Sequence, residues 1–248
     1  MRVRSITPIR VPDDELDRRR DRYARLAPAG VDVRLDNLLD GPSTPWQLET
    51  EEDVATSSDL VLAMALATDA AEFDLVLPDC VLDPAVARVR QEPVPIVGIL
   101  QLVATNLSLL GRSFTAVTRN RAIANELADR IEAYGLSGHF HGVDVLDLDF
   151  EAIQDERRWH AALAPSRMAA LERGAEAVIN GCSAVDVDDD APGAPAVDPT
   201  GLALRLLAAS AGIIGGAAGM APGLEPVPDT LPDPGREPRL DELQGGRA

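Results

Sequence analysis

The residues best suited to chemistry in this 248-residue chain are its two cysteines, Cys80 and Cys182. Each closes an apolar run. The first is Phe73-Asp74-Leu75-Val76-Leu77-Pro78-Asp79-Cys80, and the second is Val178-Ile179-Asn180-Gly181-Cys182-Ser183. Both runs have the length and composition of a buried strand, and Gly-Cys-Ser reads as a strand-to-helix turn. In an open parallel sheet, ligands sit at the carboxyl ends of strands. A thiol there is well placed to act, its thiolate being the reactive form. Two thiols in matching contexts suggest a pair working on one ligand. The simpler alternative is two unrelated buried thiols, since free cysteine is among the most buried residue types.

Strands and helices must carry the thiols to those ends. Val3 to Ile9 reads as a first strand, stopped at Pro8 and Pro12. Asp13 caps a helix over 14–26 with Arg and Asp on its wet face. A strand over 31–35 leads to the turn-rich, hydroxyl-bearing loop Asp40-Gly41-Pro42-Ser43-Thr44-Pro45. Thr50 caps a helix over 51–71. The strand 75–77 then delivers Cys80, and Asp83-Pro84 starts a short helix to Arg90. A fourth strand is predicted over 95–99. From there the order is helix 101–110, strand 114–117, helix 121–134, strand 139–145, helix 159–173, the Cys182 strand, strand 195–198 and helix 201–211. Residues 216–248 are Gly, Pro and charge and read as a tail without a core.

Alternation of strand and helix predicts the α/β class with parallel sheets. The pattern of strand, helix, strand, hydroxyl-rich loop, helix and strand ending in Cys occurs twice. The expected organisation is therefore two similar flavodoxin-like lobes facing across a central cleft. A first set spans about residues 1–97 and a second about 98–200.

Composition excludes some partners. The net charge of −18, with 23 basic residues that are all Arg, argues against nucleic acid or an anionic membrane surface. No stretch approaches the roughly 20 apolar residues of a membrane span. Met1-Arg2-Val3 runs straight into a strand rather than a leader, so a cytoplasmic protein with reduced thiols is expected. His139, His141 and His160 have no metal-site spacing, and no metal is expected. No Gly-rich phosphate loop follows a strand. The acidic run Asp186 to Asp190 reads as a solvated loop.

Four stretches together resemble the aspartate/glutamate/hydantoin racemase superfamily, most closely its hydantoin-racemase branch. They are Cys80-Val-Leu-Asp83-Pro84; Pro95-Ile-Val-Gly98-Ile with Leu110-Gly111-Arg112-Ser-Phe114-Thr-Ala-Val117-Thr118; Val145-Leu-Asp-Leu148; and Gly174-Ala-Glu-Ala-Val-Ile-Asn-Gly181-Cys182-Ser183. The resemblance implies two α/β lobes, with the last helix returning to the first. It implies a cofactor-independent racemase or epimerase acting on a small carbon acid, hydantoin-like or amino-acid-like, and a homo-oligomer. Cys80 and Cys182 correspond to the acid/base pair. An inverting centre needs a base and an acid on opposite faces, each able to exchange roles. A modest downward shift from a thiol pKa near 8.5 would supply thiolate at neutral pH, and N–H groups after each Cys would steady enolate charge. Ser43, Thr118 and Ser183 correspond to substrate contacts, with Thr7 and Val81 at the altered positions. The branch usually has Asn-Pro-Asn after the first strand, where this chain has Thr7-Pro8-Ile9. Bulky Val81 and Leu82 follow Cys80, and Trp46 stands in the hydroxyl loop, so a more apolar pocket is expected. A maleate-type isomerase, an arylmalonate-type decarboxylase or a non-catalytic binding protein on the same scaffold are the alternatives.

Overall fold

The structure, a computed structural model, describes residues 1–88, 92–187 and 190–214. The tail expected over 216–248 lies outside the described residues. Residues 1–215 form one compact unit.

Two parallel sheets carry the chain. The first holds β1 (Arg2–Ile6), β2 (Asp32–Asp36) and β3 (Leu75–Pro78) in the order β2-β1-β3. The second holds β4 (Phe114–Thr118), β5 (Phe140–Val145), β6 (Ala177–Asn180) and β7 (Ala196–Val197) in the order β5-β4-β6-β7. In each, the first strand in the chain lies between the next two. Cys80 follows β3 and Cys182 follows β6, so both thiols leave the third strand of their own sheet.

Helices α1 (Asp13–Leu26), α2 (Glu51–Leu66), α3 (Ile99–Leu109), α4 (Arg121–Ala133), α5 (Glu156–Glu172) and α6 (Pro199–Ile214) cover the sheets. Their starts are chemically marked. Thr50 and Asp53 form a capping box on α2, while Asn120 caps α4 and Asp155 caps α5 through side-chain oxygens. These groups satisfy N–H donors that a helix start leaves unpaired. α1 differs from expectation: it begins at Asp13 behind Pro12, with no side-chain cap.

One core cluster joins Val3, Leu75 and Leu77 of the first sheet to Phe114, Ala116 and Ile179 of the second through Ile99, Leu100 and Val103 of α3 and Leu204 of α6. Ile6 and Val76 face the other way, under Val61 and Met64 of α2. Val117 and Val178 do the same under Leu163 and Ala170 of α5. Burial on both faces is why these strands read as continuous apolar runs. α6 packs on α3 and α1.

Three predicted elements are corrected. The strand over 95–99 is reduced to a single bridge, Ile96 with Val76. Pro93 and Pro95 lack the N–H a ladder needs. The helix expected to Arg90 is one turn, Val86–Arg88, because Asp83 and Ala85 have positive φ (49° and 71°) and break it; residues 89–91 lie outside the description. Among the described residues no helix lies between Cys182 and β7.

Candidate active site

The carboxyl ends of both sheets meet at a cavity of about 70 Å³. Pro8, Asp79, Cys80 and Val81 reach it from the loops after β1 and β3, and Arg119, Gly181, Cys182 and Ser183 from those after β4 and β6. Ile9, Leu48, Leu82, Ile123, Phe150 and Ile153 give it a largely apolar wall.

Of the residues singled out from sequence, Cys80, Cys182, Val81 and Ser183 line this one cavity. The other three lie elsewhere. Thr7 is fully buried; its hydroxyl bonds Ile9 O at 2.8 Å and accepts from Leu38 N–H at 2.9 Å, fixing the turn after β1. Thr118 is buried with its hydroxyl toward Asn120 O at 3.2 Å. Ser43 is exposed on its loop, away from the cavity wall. Trp46 is 57% exposed, and it is Leu48, further along the same loop, that closes the wall. Short hydroxyl residues in tight turns bond their own backbone first, which accounts for Thr7 and Thr118.

The two cysteine turns are stitched together. Ser183 Oγ donates to Asp79 O at 2.9 Å, so the turn after β6 rests on the residue preceding Cys80. Thr200 Oγ1 in turn donates to Ser183 O at 3.2 Å. Asn180 Nδ2 donates to Cys182 O and Val185 O, both at 3.1 Å, and Asn180 Oδ1 accepts from the fully buried Trp159 Nε1 at 3.0 Å. Gly181 is required here: a Cβ would stand 1.9 Å from Val117 O.

Asp83 does not cap a local helix. Its carboxylate accepts from Leu100 N–H at 2.9 Å and Gln101 N–H at 2.7 Å, capping α3 from outside, and from Tyr134 Oη at 2.8 Å. Gly98 makes room for it, since a Cβ there would lie 2.1 Å from Asp83 Oδ2. Burial raises the Asp83 carboxyl to about 6, against the pull of those donors.

The helix α1 shows Arg20 and Arg25 to water as expected, but not all of its arginines. Arg19 and Arg22 are buried at 4% and 2% exposure. Arg19 Nε pairs with Glu15 at 2.7 Å and Nη1 with Asp79 at 3.0 Å. Tyr23 Oη holds the other Asp79 oxygen at 3.0 Å. Arg18 donates to Ala184 O, and Arg22 to Val185 O, each at 3.0 Å. Arg22 and Arg25 both pair with Asp186, at 2.9 and 2.7 Å. Thus the first acid of the 186–190 run is a part-exposed tether; Asp188 and Asp189 lie outside the described residues. The spacing Arg18, Arg22, Arg25 along one helix face was the available signal, because i, i+4, i+7 positions share a side.

Arg119, also missed from sequence, sits at the end of β4, where site residues are expected. Its guanidinium holds Leu48 O at 2.9 Å and pairs with Glu49, and Asn120 Nδ2 reaches Leu48 O at 2.8 Å. The loop from the first sheet is thereby strapped to the second.

Burial pushes both thiols up, contrary to the expected downward shift. For Cys80 burial dominates, with Asp79 and Asp83 adding to it and the Leu82 N–H, 3.4 Å from Sγ, opposing. For Cys182 burial also dominates, but Arg19, the Ala184 N–H and Arg22 pull the other way. The N–H two residues on is thus directed at each sulfur, rather than left for enolate charge. Among the described residues, no group of three or more His, Cys, Asp or Glu is placed to hold a metal ion, and no helix is long and apolar enough to cross a membrane.

This arrangement can be set beside known proteins. No curated protein matches the chain in sequence. In structure it is similar to the allantoin racemase of Pseudomonas fluorescens (TM-score 0.73, 18% identity, covering 86% of this chain and 92% of that one). The allantoin racemase of Klebsiella pneumoniae is similar to the same degree (TM-score 0.70, 17% identity, 86% and 88% covered). A maleate isomerase of Pseudomonas putida shares the architecture more loosely (TM-score 0.50, 15% identity, 86% and 92% covered). The Asp/Glu/hydantoin racemase family model matches residues 21–207, a span that runs from within α1 to within α6 and includes both thiols, and the chain belongs to that family.

Proposed function

We propose that this protein is a cofactor-independent racemase or epimerase that moves a proton between Cys80 and Cys182 across a carbon next to a carbonyl. The observation that carries this reading is that both thiols line one cavity, each from the third strand of its own sheet. One thiolate takes the C–H proton, and the electron pair passes onto the carbonyl oxygen as an enolate. The other thiol returns a proton to the opposite face, and the two sulfurs have then exchanged roles. A raised thiol pKa makes the thiolate scarcer and more basic, which suits a weakly acidic C–H.

The lining supports a hydantoin-like substrate over a dicarboxylate. Arg19 is neutralised by Glu15 and Asp79, and Arg119 by Glu49. Neither offers an uncompensated charge to a second carboxylate, and Ile9, Leu48, Ile123 and Phe150 favour an apolar substituent. A maleate-type isomerisation would need both carboxylates accommodated, so we rank it below proton transfer. The test uses 5-substituted hydantoins in deuterated water, followed by NMR at C5. Wild-type protein should exchange the C5 proton, and Cys80→Ser and Cys182→Ser should each lower the rate at least ~100-fold, in the range removed with a positioned acid or base. Full exchange in either variant would refute the two-thiol assignment.

A further inference from the structure

Cys80 stands between two spaces. On one side is the cavity it shares with Cys182. On the other is a void of about 10 Å³ against α2 and α4, and Cys80, Leu48 and Leu82 belong to both walls. Further out, Val54 of α2 and Glu126 of α4 line the void and also a cleft of about 150 Å³ between the same two helices. Glu51 and Asp129 of that cleft are exposed, so it opens to solvent. Cavity, void and cleft therefore lie in series, each sharing wall residues with the next. Cys182 is on the wall of neither the void nor the cleft.

The void carries unspent polar groups. Ser58 Oγ accepts from Ala85 N–H at 3.2 Å, and among the described residues nothing accepts its own O–H. Arg130 Nη2 pairs with Glu126 at 2.7 Å, while its buried Nε has no hydrogen-bond partner. Both residues line the void. A buried donor without a partner is costly and calls for one. A space of about 10 Å³ takes a single water, which stays when a few polar groups hold it.

We propose that the void is a water site, and that its water carries protons between the Cys80 thiol and the α2–α4 cleft, a route to solvent that serves Cys80 and not Cys182. The need for such a route rests on the racemase reading. After one turnover the two sulfurs have exchanged roles, so the enzyme cannot accept a second molecule of the same enantiomer. The thiol that gained the substrate proton must release it, and the other sulfur must regain one. Cys182 is half-buried, but Cys80 is buried, and Leu48 and Leu82 beside it in the shared cavity carry no protons. In the proposed step the Cys80 S–H gives its proton to the water oxygen, and the electron pair stays on sulfur as thiolate. The water passes one of its own protons outward to the Glu126 carboxylate and the cleft. The reverse sequence restores the thiol.

The experiment follows the infrared S–H stretching band as it gives way to S–D when substrate-free protein is mixed rapidly with deuterated water. Cys182→Ser leaves Cys80 as the sole thiol, and Cys80→Ser leaves Cys182. In these backgrounds Ser58→Val removes the hydroxyl and puts methyl groups into the void. Exchange at Cys80 should slow by on the order of 100-fold, the range lost with a positioned proton carrier, while exchange at Cys182 stays as it was. Unchanged exchange at Cys80, or equal slowing at both thiols, overturns the route. A crystal structure of the wild-type protein tests the site should the valine variant fold poorly. A water within hydrogen-bond distance of Ser58 Oγ and Arg130 Nε is expected, and a dry void overturns the proposal. With a 5-substituted hydantoin, Ser58→Val should lower kcat and leave kcat/KM unchanged, because only the return of free enzyme to its starting protonation state is slowed. An equal fall in both would place Ser58 in the chemical step and overturn the route. A water with slowed Cys80 exchange, but no hydantoin turnover by wild type, spares the route and removes the racemase reading. Turnover with a dry void spares the racemase and removes the route.

Discussion

Gly181→Ala gives the sharpest test of how the Cys182 turn is held. The added Cβ would stand 1.9 Å from Val117 O and 2.8 Å from Thr118 Cγ2. Real Cβ contacts essentially never fall below 3.0 Å, so at least 3.0 − 1.9 = 1.1 Å must open between the end of β6 and the end of β4. Val117 O is backbone within the β4–β6 ladder, where Ala116 opposes Ile179 and Val117 opposes Asn180. It cannot swing aside as a side chain would. The movement therefore falls on the turn, and Cys182 is the next residue. Overpacking of this kind costs about 1–3 kcal/mol. A reacting group moved by about 1 Å loses on the order of 100-fold in rate. The expected variant is folded, melts lower than wild type, and exchanges a hydantoin C5 proton ~100-fold more slowly. Circular dichroism melting and deuterium NMR read the two effects separately, and the rate of Cys182 alkylation reports the displaced sulfur without reference to any substrate. A variant that exchanges within a few-fold of wild type while showing wild-type alkylation would refute the reasoning, because the turn would then have absorbed the methyl without moving the thiol.

Two further predictions concern pH. Burial lifts the Asp83 carboxyl from 3.8 to about 6, so the folded state holds its proton more tightly than the unfolded chain. Its stabilising share is complete below about pH 4 and is lost as pH rises to 6, amounting to roughly 2.2 × 1.36, or about 3 kcal/mol. Urea unfolding should therefore show Asp83→Asn gaining on wild type by about this amount between pH 4 and pH 7. A loss instead would mean that the Leu100 and Gln101 N–H groups outweigh burial and the carboxylate is the favoured form. The second concerns rate: with both thiols pushed up and the thiolate as base, kcat/KM for hydantoin exchange should still be climbing with pH through about 8.5, the ordinary thiol value. A plateau reached below pH 7 would contradict this.

The layered α/β scaffold was legible because strands buried on both faces must be continuous apolar runs, and a helix start can be marked by a cap such as Thr50. The two thiols were legible because each run ends in Cys, and a strand end is a local property of the chain. Where local rules competed with position in space, sequence reasoning failed. Asp83 before Pro84 has the form of a local helix start, yet its carboxylate caps α3 across the fold, since a positive φ turns the chain away from a helix at that point. Ser43 and Thr118 have the chemistry of substrate contacts but are not on the cavity wall, because a hydroxyl says nothing about which side of a turn it occupies. Arg19 and Arg22 looked like solvated charges on α1, as charge normally goes to water. Only the folded chain brings Asp79, Asp186 and Asp198 to meet them. With partners 60 to 176 positions apart, the helix period marks the arginines and says nothing of the acids they meet. What the sequence determined by itself is which atoms can react and which segments carry them. The tertiary structure decided which charges surround each sulfur, because that depends on contacts between α1 and two turns that approach one another only when both sheets are assembled.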